Sequence, residues 1–596
     1  MPPLVRVVSW TGLCVGITMV IVLTGNGLGV AALVLVATVA LGACGDPRAA
    51  SNSGGAATEE VQPAEEITTG VTRPGDPAQL TTWVVDALTR VQPTDRPGAT
   101  RMASIKAARH EYEAFQVVIR APDQAPLENV RVTASDLIGP GVIPASRIAL
   151  YREHYVRVTR PSPGSPHKPG AWPDALIPFA HPETGQALGG RFPAAPFPIA
   201  AGQNQPVWVE VYVPPETQPG TYVGELTLSA DGGQRAAVPV RLGVWNFTLP
   251  QVPSLHSWFG QLDVTDRDEP REASLRHLHE LLRHRVSPAY GGGNPAVKED
   301  GSIDTSQSHA ALVEFLGKAT TWTVPFRAEG QPFTDPLGAD RARAQRYLRS
   351  TQEYLRANGW LSRGLVYVYD EPDDPAKLRV AQQVGHLVRE SAPDLRTLVT
   401  TPIRTELFDI VKLWVLPFDR YDLGATRRRR ARGEEVWSYT AGVRGSKYPT
   451  WQLDYPLFHY RIPAWINWSV GATGLLYWAN NYWANSSDPW TDPRTYGVLN
   501  GDGALVYPGS AVGFHGPVVS MRLKAIRDGI EDYDTLELLE SLDRPAAAAA
   551  AKRVGSGFRQ WTRNPADILV AREQIGERLH ALTSQPGSGS KAAGRP

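Results

Sequence analysis

Residues 365–372 read Leu365-Val366-Tyr367-Val368-Tyr369-Asp370-Glu371-Pro372. Alternating aliphatic and aromatic side chains of this kind form a buried strand, and a proline ends it because it cannot donate to the ladder. Two carboxylates stand at the point where the strand stops. Outward from this stretch, short apolar runs alternate with helical patterns. Strands are predicted at 256–261, 286–290, 321–326, 365–369, 397–401, 412–416, 435–439 and 474–478. Helices are predicted between them at 271–285, 339–358, 375–391 and 457–470. Strand–helix alternation of this length predicts a (β/α)8 TIM-type barrel over 251–545.

In such a barrel the C-terminal strand ends open into the active-site mouth, which makes Asp370 and Glu371 candidate catalytic residues. The competing use of acids before a helix is capping. Asp374 followed by Pro375 already supplies an N-cap and a first-turn proline, so Asp370 and Glu371 are surplus to that need. Adjacent carboxylates repel each other, and a protonated acid beside an ionised partner suits glycosidic cleavage.

Aromatic density is the second signal. Trp437, Trp451, Trp465, Trp468, Trp478, Trp483 and Trp490 place seven of the 17 tryptophans between 437 and 490. Aromatic faces stack on the C–H face of a sugar ring, and the same residues equally serve as core. Trp437, Tyr439, Trp478 and Trp483 are candidate substrate contacts, whereas Trp465 and Trp468, on a helix, read as core. Asp502, in Gly501-Asp502-Gly503, is either a turn former or an acceptor for a sugar hydroxyl.

Ahead of the barrel, 79–250 shows period-2 patterning. Val207, Val209, Val211 and Val213 alternate with Trp208, Glu210 and Tyr212, and Pro/Gly turns separate further runs of this kind. This predicts an antiparallel β-sandwich. Trp172-Pro173-Asp174 reads as a loop able to reach a neighbouring domain. After the barrel strands, 517–542 forms a closing helix with Val519, Leu523, Ile526, Ile530 and Tyr533 on one stripe. Its charged residues, Arg522, Arg527, Asp528, Glu531 and Asp532, read as a solvated or salt-bridged face. Residues 546–596 read as an Ala-rich helical stretch and a disordered tail.

The N-terminus carries a long apolar run ending in Leu41-Gly42-Ala43-Cys44, which resembles the lipobox of bacterial lipoproteins. It predicts a signal peptide over 1–44, lipidation at Cys44, a flexible tether over 45–78 and an extracytoplasmic, membrane-anchored protein. An uncleaved signal anchor is the alternative. Sixty Lys+Arg against 60 Asp+Glu give a formal net charge of zero, which argues against a nucleic-acid partner. Two cysteines are too few for a disulfide framework or a cysteine zinc site. His277-x-His279 on a helix points two ways, so neither a metal nor a cofactor is expected. Arg427–Arg430 with Arg432 reads as a solvated loop or a contact for an anionic envelope polymer. Nothing in the sequence specifies an oligomeric state.

The sequence resembles glycoside hydrolase family 123 and the related domain of unknown function 4091. The resemblance rests on Tyr367-Val368-Tyr369-Asp370-Glu371-Pro372, Val436-Trp437-Ser438-Tyr439-Thr440 and Gly474-Leu475-Leu476-Tyr477-Trp478. Gly501-Asp502-Gly503 with Tyr507-Pro508-Gly509, and Ser520 through Tyr533, complete it. It covers about 255–542 and extends to the preceding sandwich. The resemblance implies a retaining exo-β-N-acetylgalactosaminidase in which the substrate's own 2-acetamido group is the nucleophile. Asp370 then orients that group and Glu371 is the general acid/base, with Arg461, Tyr439, Trp478 and Trp483 as softer matches around the sugar. A hydrolase of a glycan lacking the acetamido group, and a non-catalytic carbohydrate-binding lipoprotein, stay open as alternatives.

Overall fold

The computed structural model describes residues 80–261, 271–327, 331–443, 445 and 447–585. The leader, Cys44 and the tether lie outside the described residues, as does the end of the chain from 586. Among the described residues no helix is long and apolar enough to cross a membrane.

The N-terminal region forms two facing sheets. One holds, in spatial order, Thr81–Asp86, Glu111–Arg120, Asn204–Val213, Ile148–Val158 and Gly170–Pro178, all antiparallel. The other is built on Ala103–Arg109, Arg235–Thr248, Gly220–Ser229, Leu127–Ala134 and Phe197–Ile199. It departs from the antiparallel expectation at one pair, Ala103–Arg109 running parallel to Arg235–Thr248. Val207, Val209 and Val211 meet Leu226, Val238 and Val240 in the core between the sheets. Their alternates, Trp208 and Glu210, are buried as well, at 0% and 1% exposure. The second face of that sheet is therefore not a solvent face. It is covered by the C-terminal domain, with Trp208, Tyr151 and Leu176 sharing one core with Leu523, Ile526 and Ile530.

Among the described residues the C-terminal domain carries a curled, seven-stranded parallel sheet. Its spatial order is His256–Phe259, Gly474–Tyr477, Glu435–Thr440, Leu413–Pro417, Arg396–Thr400, Gly364–Asp370 and Trp322–Thr323. Curling brings the first strand in sequence beside the last. Two of the eight expected strands are curtailed. Segment 286–290 makes a single bridge, Phe259 to Pro288, and side-chain bonds from Ser287 Oγ to Thr320 stand in for a ladder. Proline at 288 and at 325 removes ladder donors at these positions, which accounts for the missing pairs. Leu365, Leu398, Leu413 and Val415 line the concave side, while Val366, Val368, Val399 and Leu416 face the helical layer. This is the period-2 division expected of strands covered on both faces.

Helix Pro375–Ser391 begins as its sequence predicts, with Asp374 Oδ1 accepting from the N–H of Ala376 and Lys377 at 2.8 and 2.9 Å. The closing helix runs Met521–Val554 and bends at Asp543, just before Pro545. A further helix, Pro565–Thr583, packs back on the N-terminal sheets. Arg572 pairs with Glu111 there, and Gly576 lies against the Trp245 ring. The Ala-rich stretch is helical as expected, and residues 546–583 are a built part of the fold.

Candidate active site

Adjacent residues of a regular strand point to opposite faces, so Asp370 and Glu371 would not ordinarily share a site. Two local irregularities bring them together. The pairing of Gly364–Asp370 with Arg396–Thr400 shifts register between Tyr367 and Tyr369. This bulge puts Asp370, three residues after Tyr367, on the same side as Tyr367. The next residue, Glu371, takes φ = 43°, the left-handed region that non-glycine residues seldom adopt. That turn releases its side chain from the strand alternation. Both carboxylates are solvent-exposed at the C-terminal edge of the sheet.

Asp370 Oδ1 accepts from the Tyr367 hydroxyl at 2.7 Å and from Thr400 Oγ1 at 2.8 Å. Thr400 Oγ1 in turn accepts the Glu371 backbone N–H at 3.0 Å. Glu371 Oε1 accepts from the Tyr439 hydroxyl at 2.5 Å. Burial, and then the facing Asp370, push the Tyr367 phenol well above its ordinary range. Burial and the bond to Glu371 do the same for Tyr439. Both phenols therefore keep their protons and act as donors to the carboxylates. Behind them the Trp258 ring packs edge-on against Tyr367 at 5.5 Å and donates Nε1–H to Thr323 at 2.9 Å.

A second group lies past the end of strand Gly474–Tyr477, four places along the sheet from the carboxylates. Asp502, 2% exposed, accepts from Trp478 Nε1 at 2.8 Å and from the Gly442 N–H at 3.1 Å. Burial holds its carboxyl above the usual range. Gly503, at φ = 73°, lets the chain lie against the indole, because a Cβ there would sit 2.3 Å from the Trp478 ring. Tyr482 and Tyr496 flank that ring at 5.1 and 5.0 Å. The Gly501-Asp502-Gly503 turn thus fixes Trp478 from its edge and its face, and Asp502 holds an indole.

The structure treats the other sequence candidates differently. Trp437 is fully buried on the concave side of the sheet, with its ring over Gly474, where a Cβ would meet it at 2.4 Å. Arg461 is 2% exposed and committed to Asp532, through Nε at 2.6 Å and Nη2 at 2.8 Å. Trp483 is half-buried and donates to the Val506 carbonyl at 3.0 Å. Trp451, Trp465 and Trp490 are core residues at 1%, 0% and 1% exposure, so much of the tryptophan excess is packing. Tyr367 and Thr400 were not singled out by the sequence. Tyr367 stood inside the decisive stretch, three positions before Asp370, and Thr400 inside an ordinary β-branched strand.

The charged residues of the closing helix are not solvated. Arg522 grips Asp174 of strand Gly170–Pro178 through Nε at 2.9 Å and Nη2 at 2.8 Å, and Tyr507 donates to the same carboxylate at 2.5 Å. Lys524 and Arg527 meet Glu210 at 2.7 and 2.6 Å. These pairs join the two domains. Asp174 does reach its neighbour, though from a strand rather than a loop. In the arginine run, Arg429 is buried on Glu434 and over the Phe408 ring, while Arg430 donates to the Val470 carbonyl. Arg427 and Arg428 remain exposed on helix Leu423–Arg430. His277 donates to Asn480 at 2.6 Å, and no group of three or more metal-binding side chains occurs among the described residues.

A parallel α/β sheet whose C-terminal edge carries two adjacent carboxylates, held by phenol and hydroxyl donors, defines an acid–base enzyme of the glycoside-cleaving class. Residues 89–230 match the family model for the glycoside hydrolase 123 N-terminal domain, and 339–539 match that for the glycoside hydrolase 123 catalytic domain. The chain belongs to glycoside hydrolase family 123. Among solved structures it is similar to a family 123 glycoside hydrolase from Clostridium perfringens, with 13% identity over 85% of this chain and 99% of that one and a TM-score of 0.62. A family 39 glycoside hydrolase from Bacteroides cellulosilyticus is 9% identical over 72% of this chain and 82% of that one, with a TM-score of 0.32. None of the curated proteins matches the chain.

Proposed function

We propose that this glycoside hydrolase removes a terminal 2-acetamido-β-galactosyl residue with retention, using the substrate's acetamido group as nucleophile. The observation that carries the proposal is the adjacency of Asp370 and Glu371 on one side of the sheet edge. Retaining and inverting enzymes with two independent carboxylates need them about 5 Å or about 6.5–9.5 Å apart, on opposite sides of the sugar. An internal nucleophile removes that requirement, and two neighbouring acids then suffice.

In the first step the acetamido carbonyl oxygen attacks C1 while Glu371 gives its proton to the glycosidic oxygen. The C1–O bond breaks, the leaving alcohol departs, and a bicyclic oxazolinium forms. Asp370, with both of its hydroxyl donors on Oδ1, accepts the acetamido N–H on Oδ2 and supports the positive charge there. In the second step water adds to C1, Glu371 takes its proton, and the acetamido oxygen leaves. Two displacements at C1 return the β configuration. Trp478, fixed by Asp502, offers an aromatic face to the sugar. The sheet is read as the wall of a (β/α)8 barrel with 286–290 in the second place.

The Clostridium perfringens relative has been analysed for glycolipid glycan hydrolysis, which supports a glycan of that kind as substrate here. With lipidation at Cys44, the enzyme would work from the outer face of the membrane. Radiolabelled palmitate incorporated into wild type but not Cys44→Ala tests the anchor.

A panel of aryl β-glycosides tests the activity. Turnover of the 2-acetamido galactoside, lost in Asp370→Asn and Glu371→Gln, is expected. Turnover confined to glycosides without the acetamido group would overturn the proposal in favour of a hydrolase acting without substrate assistance.

A further inference from the structure

Three oxygens form a closed triangle beneath the carboxylate pair: Tyr367 Oη to Asp370 Oδ1 at 2.7 Å, Thr400 Oγ1 to Asp370 Oδ1 at 2.8 Å, and Tyr367 Oη to Thr400 Oγ1 at 2.9 Å. The two hydroxyls bring two protons to three edges. With Asp370 as acceptor, both protons are drawn to Oδ1, and the hydroxyl–hydroxyl edge is a contact without a proton of its own. The Thr400 lone pair left over receives the backbone N–H of Glu371 at 3.0 Å. One side chain on the neighbouring strand thus touches both members of the pair, the carboxylate of the first and the backbone of the second.

The second contact falls where the chain is strained. Glu371 holds φ = 43°, a strained conformation for a non-glycine residue, and surrounding contacts have to over-determine it. Thr400 is 1% exposed and its strand is hydrogen-bonded on both sides, so its hydroxyl is a fixed point. Beyond this residue the Glu371 side chain reaches Tyr439, on a strand three places along the sheet.

We propose that Thr400, with Tyr367, is the positioning residue that divides the work between the two carboxylates. It keeps Asp370 an acceptor with one oxygen occupied and one free for the substrate, and it pins the left-handed turn that swings Glu371 to the leaving-group oxygen. The inference rests on the acetamido-assisted reading above and assigns the residue that makes adjacency productive. Thr400 touches no reacting atom, so its effect runs through Asp370 and Glu371.

The test compares Thr400→Val, Thr400→Ser and Tyr367→Phe with wild type on the aryl 2-acetamido galactoside. Valine matches the shape of threonine and removes both hydrogen bonds, whereas serine restores them. A misplacement near 1 Å costs about a hundredfold, so kcat of Thr400→Val is expected to fall by about that factor with KM little changed. Thr400→Ser is expected to recover most of the rate, and Tyr367→Phe to fall between them. Affinity for the 1,2-fused thiazoline that mimics the bicyclic intermediate should drop with kcat, while affinity for the free product sugar stays, which loss of fold would not produce. A Thr400→Val enzyme as fast as wild type, or one that loses thiazoline and product binding equally, overturns the inference. A wild type that neither cleaves the acetamido substrate nor binds the thiazoline removes the assisted reading instead. The same kcat loss, read on whatever glycoside it does cleave, then still decides the role of Thr400.

Discussion

The phenol of Tyr439 donates a 2.5 Å hydrogen bond to Oε1 of Glu371 across three places of the parallel sheet. It is the contact that ties the candidate acid/base to the far side of the mouth. A hydrogen bond of this kind contributes about 0.5–1.5 kcal/mol, which as a barrier is about two- to tenfold in rate. Tyr439→Phe is expected to lower kcat by that factor with KM little changed. Steady-state kinetics check it, and a loss confined to KM would assign Tyr439 to ground-state binding instead.

Trp478→Ala is expected to act in the opposite sense. The indole carries aromatic surface and no proton needed for bond cleavage, so its loss should raise KM and leave kcat close to wild type. Asp502→Asn, which weakens the indole's tether, should show a smaller rise of the same kind. Kinetics on one aryl glycoside decide it.

Arg522 and Asp174 join the two domains as a buried, multiply bonded pair, 1% and 0% exposed in their side chains. Removing Arg522 leaves the buried Asp174 carboxylate with only Arg90, at 3.4 Å, to balance it, at a cost of up to about 3–5 kcal/mol. Arg522→Met should lower stability by that amount. The double variant Asp174→Asn/Arg522→Met should lose less than the sum of the single variants, because the Asp174 carboxylate and the Arg522 guanidinium are removed together. Urea unfolding of the four proteins measures both statements.

The same pair sets an acid limb. Burial would raise the Asp174 carboxyl, but Arg522 and Arg90 more than offset it and hold it below its ordinary range. Burial opposes and Arg527 and Lys524 depress Glu210 in the same way. A depressed folded-state carboxyl contributes stability above its unfolded value, about pH 4, and loses it as pH falls through the folded value. The urea midpoint should therefore fall below about pH 4, less steeply in Asp174→Asn. A wild-type midpoint that holds steady to pH 3 would contradict this.

What the sequence conveys of this molecule depends on how local the signal is. Helix Pro375–Ser391 is legible to the residue, because Asp374 and Pro375 are its start signal. The strand ending in Asp370 is equally plain. Depth along a strand is not. Trp437 and Tyr439 lie on the same face by period 2, yet two residues are roughly 6.6 Å of strand. That step separates a ring buried over Gly474 from a phenol at the carboxylates. Arg461 was a candidate by neighbourhood, but its partner Asp532 lies 71 positions on. The charged stripe of the closing helix reads as solvated or salt-bridged without the sequence deciding between them, because the partners Asp174 and Glu210 stand more than 300 positions earlier. The two irregularities that make the site, a bulge before Asp370 and a left-handed Glu371, leave no mark in residue type.

The central claim is that two adjacent carboxylates suffice because the substrate supplies the nucleophile. The most direct measurement is kcat/KM for an aryl 2-acetamido-2-deoxy-β-galactoside against the same galactoside bearing a 2-hydroxyl. The account predicts turnover of the acetamido compound, abolished by Asp370→Asn and Glu371→Gln, and negligible turnover of its hydroxyl counterpart. Equal or preferential cleavage of the hydroxyl compound by the same residues would contradict it.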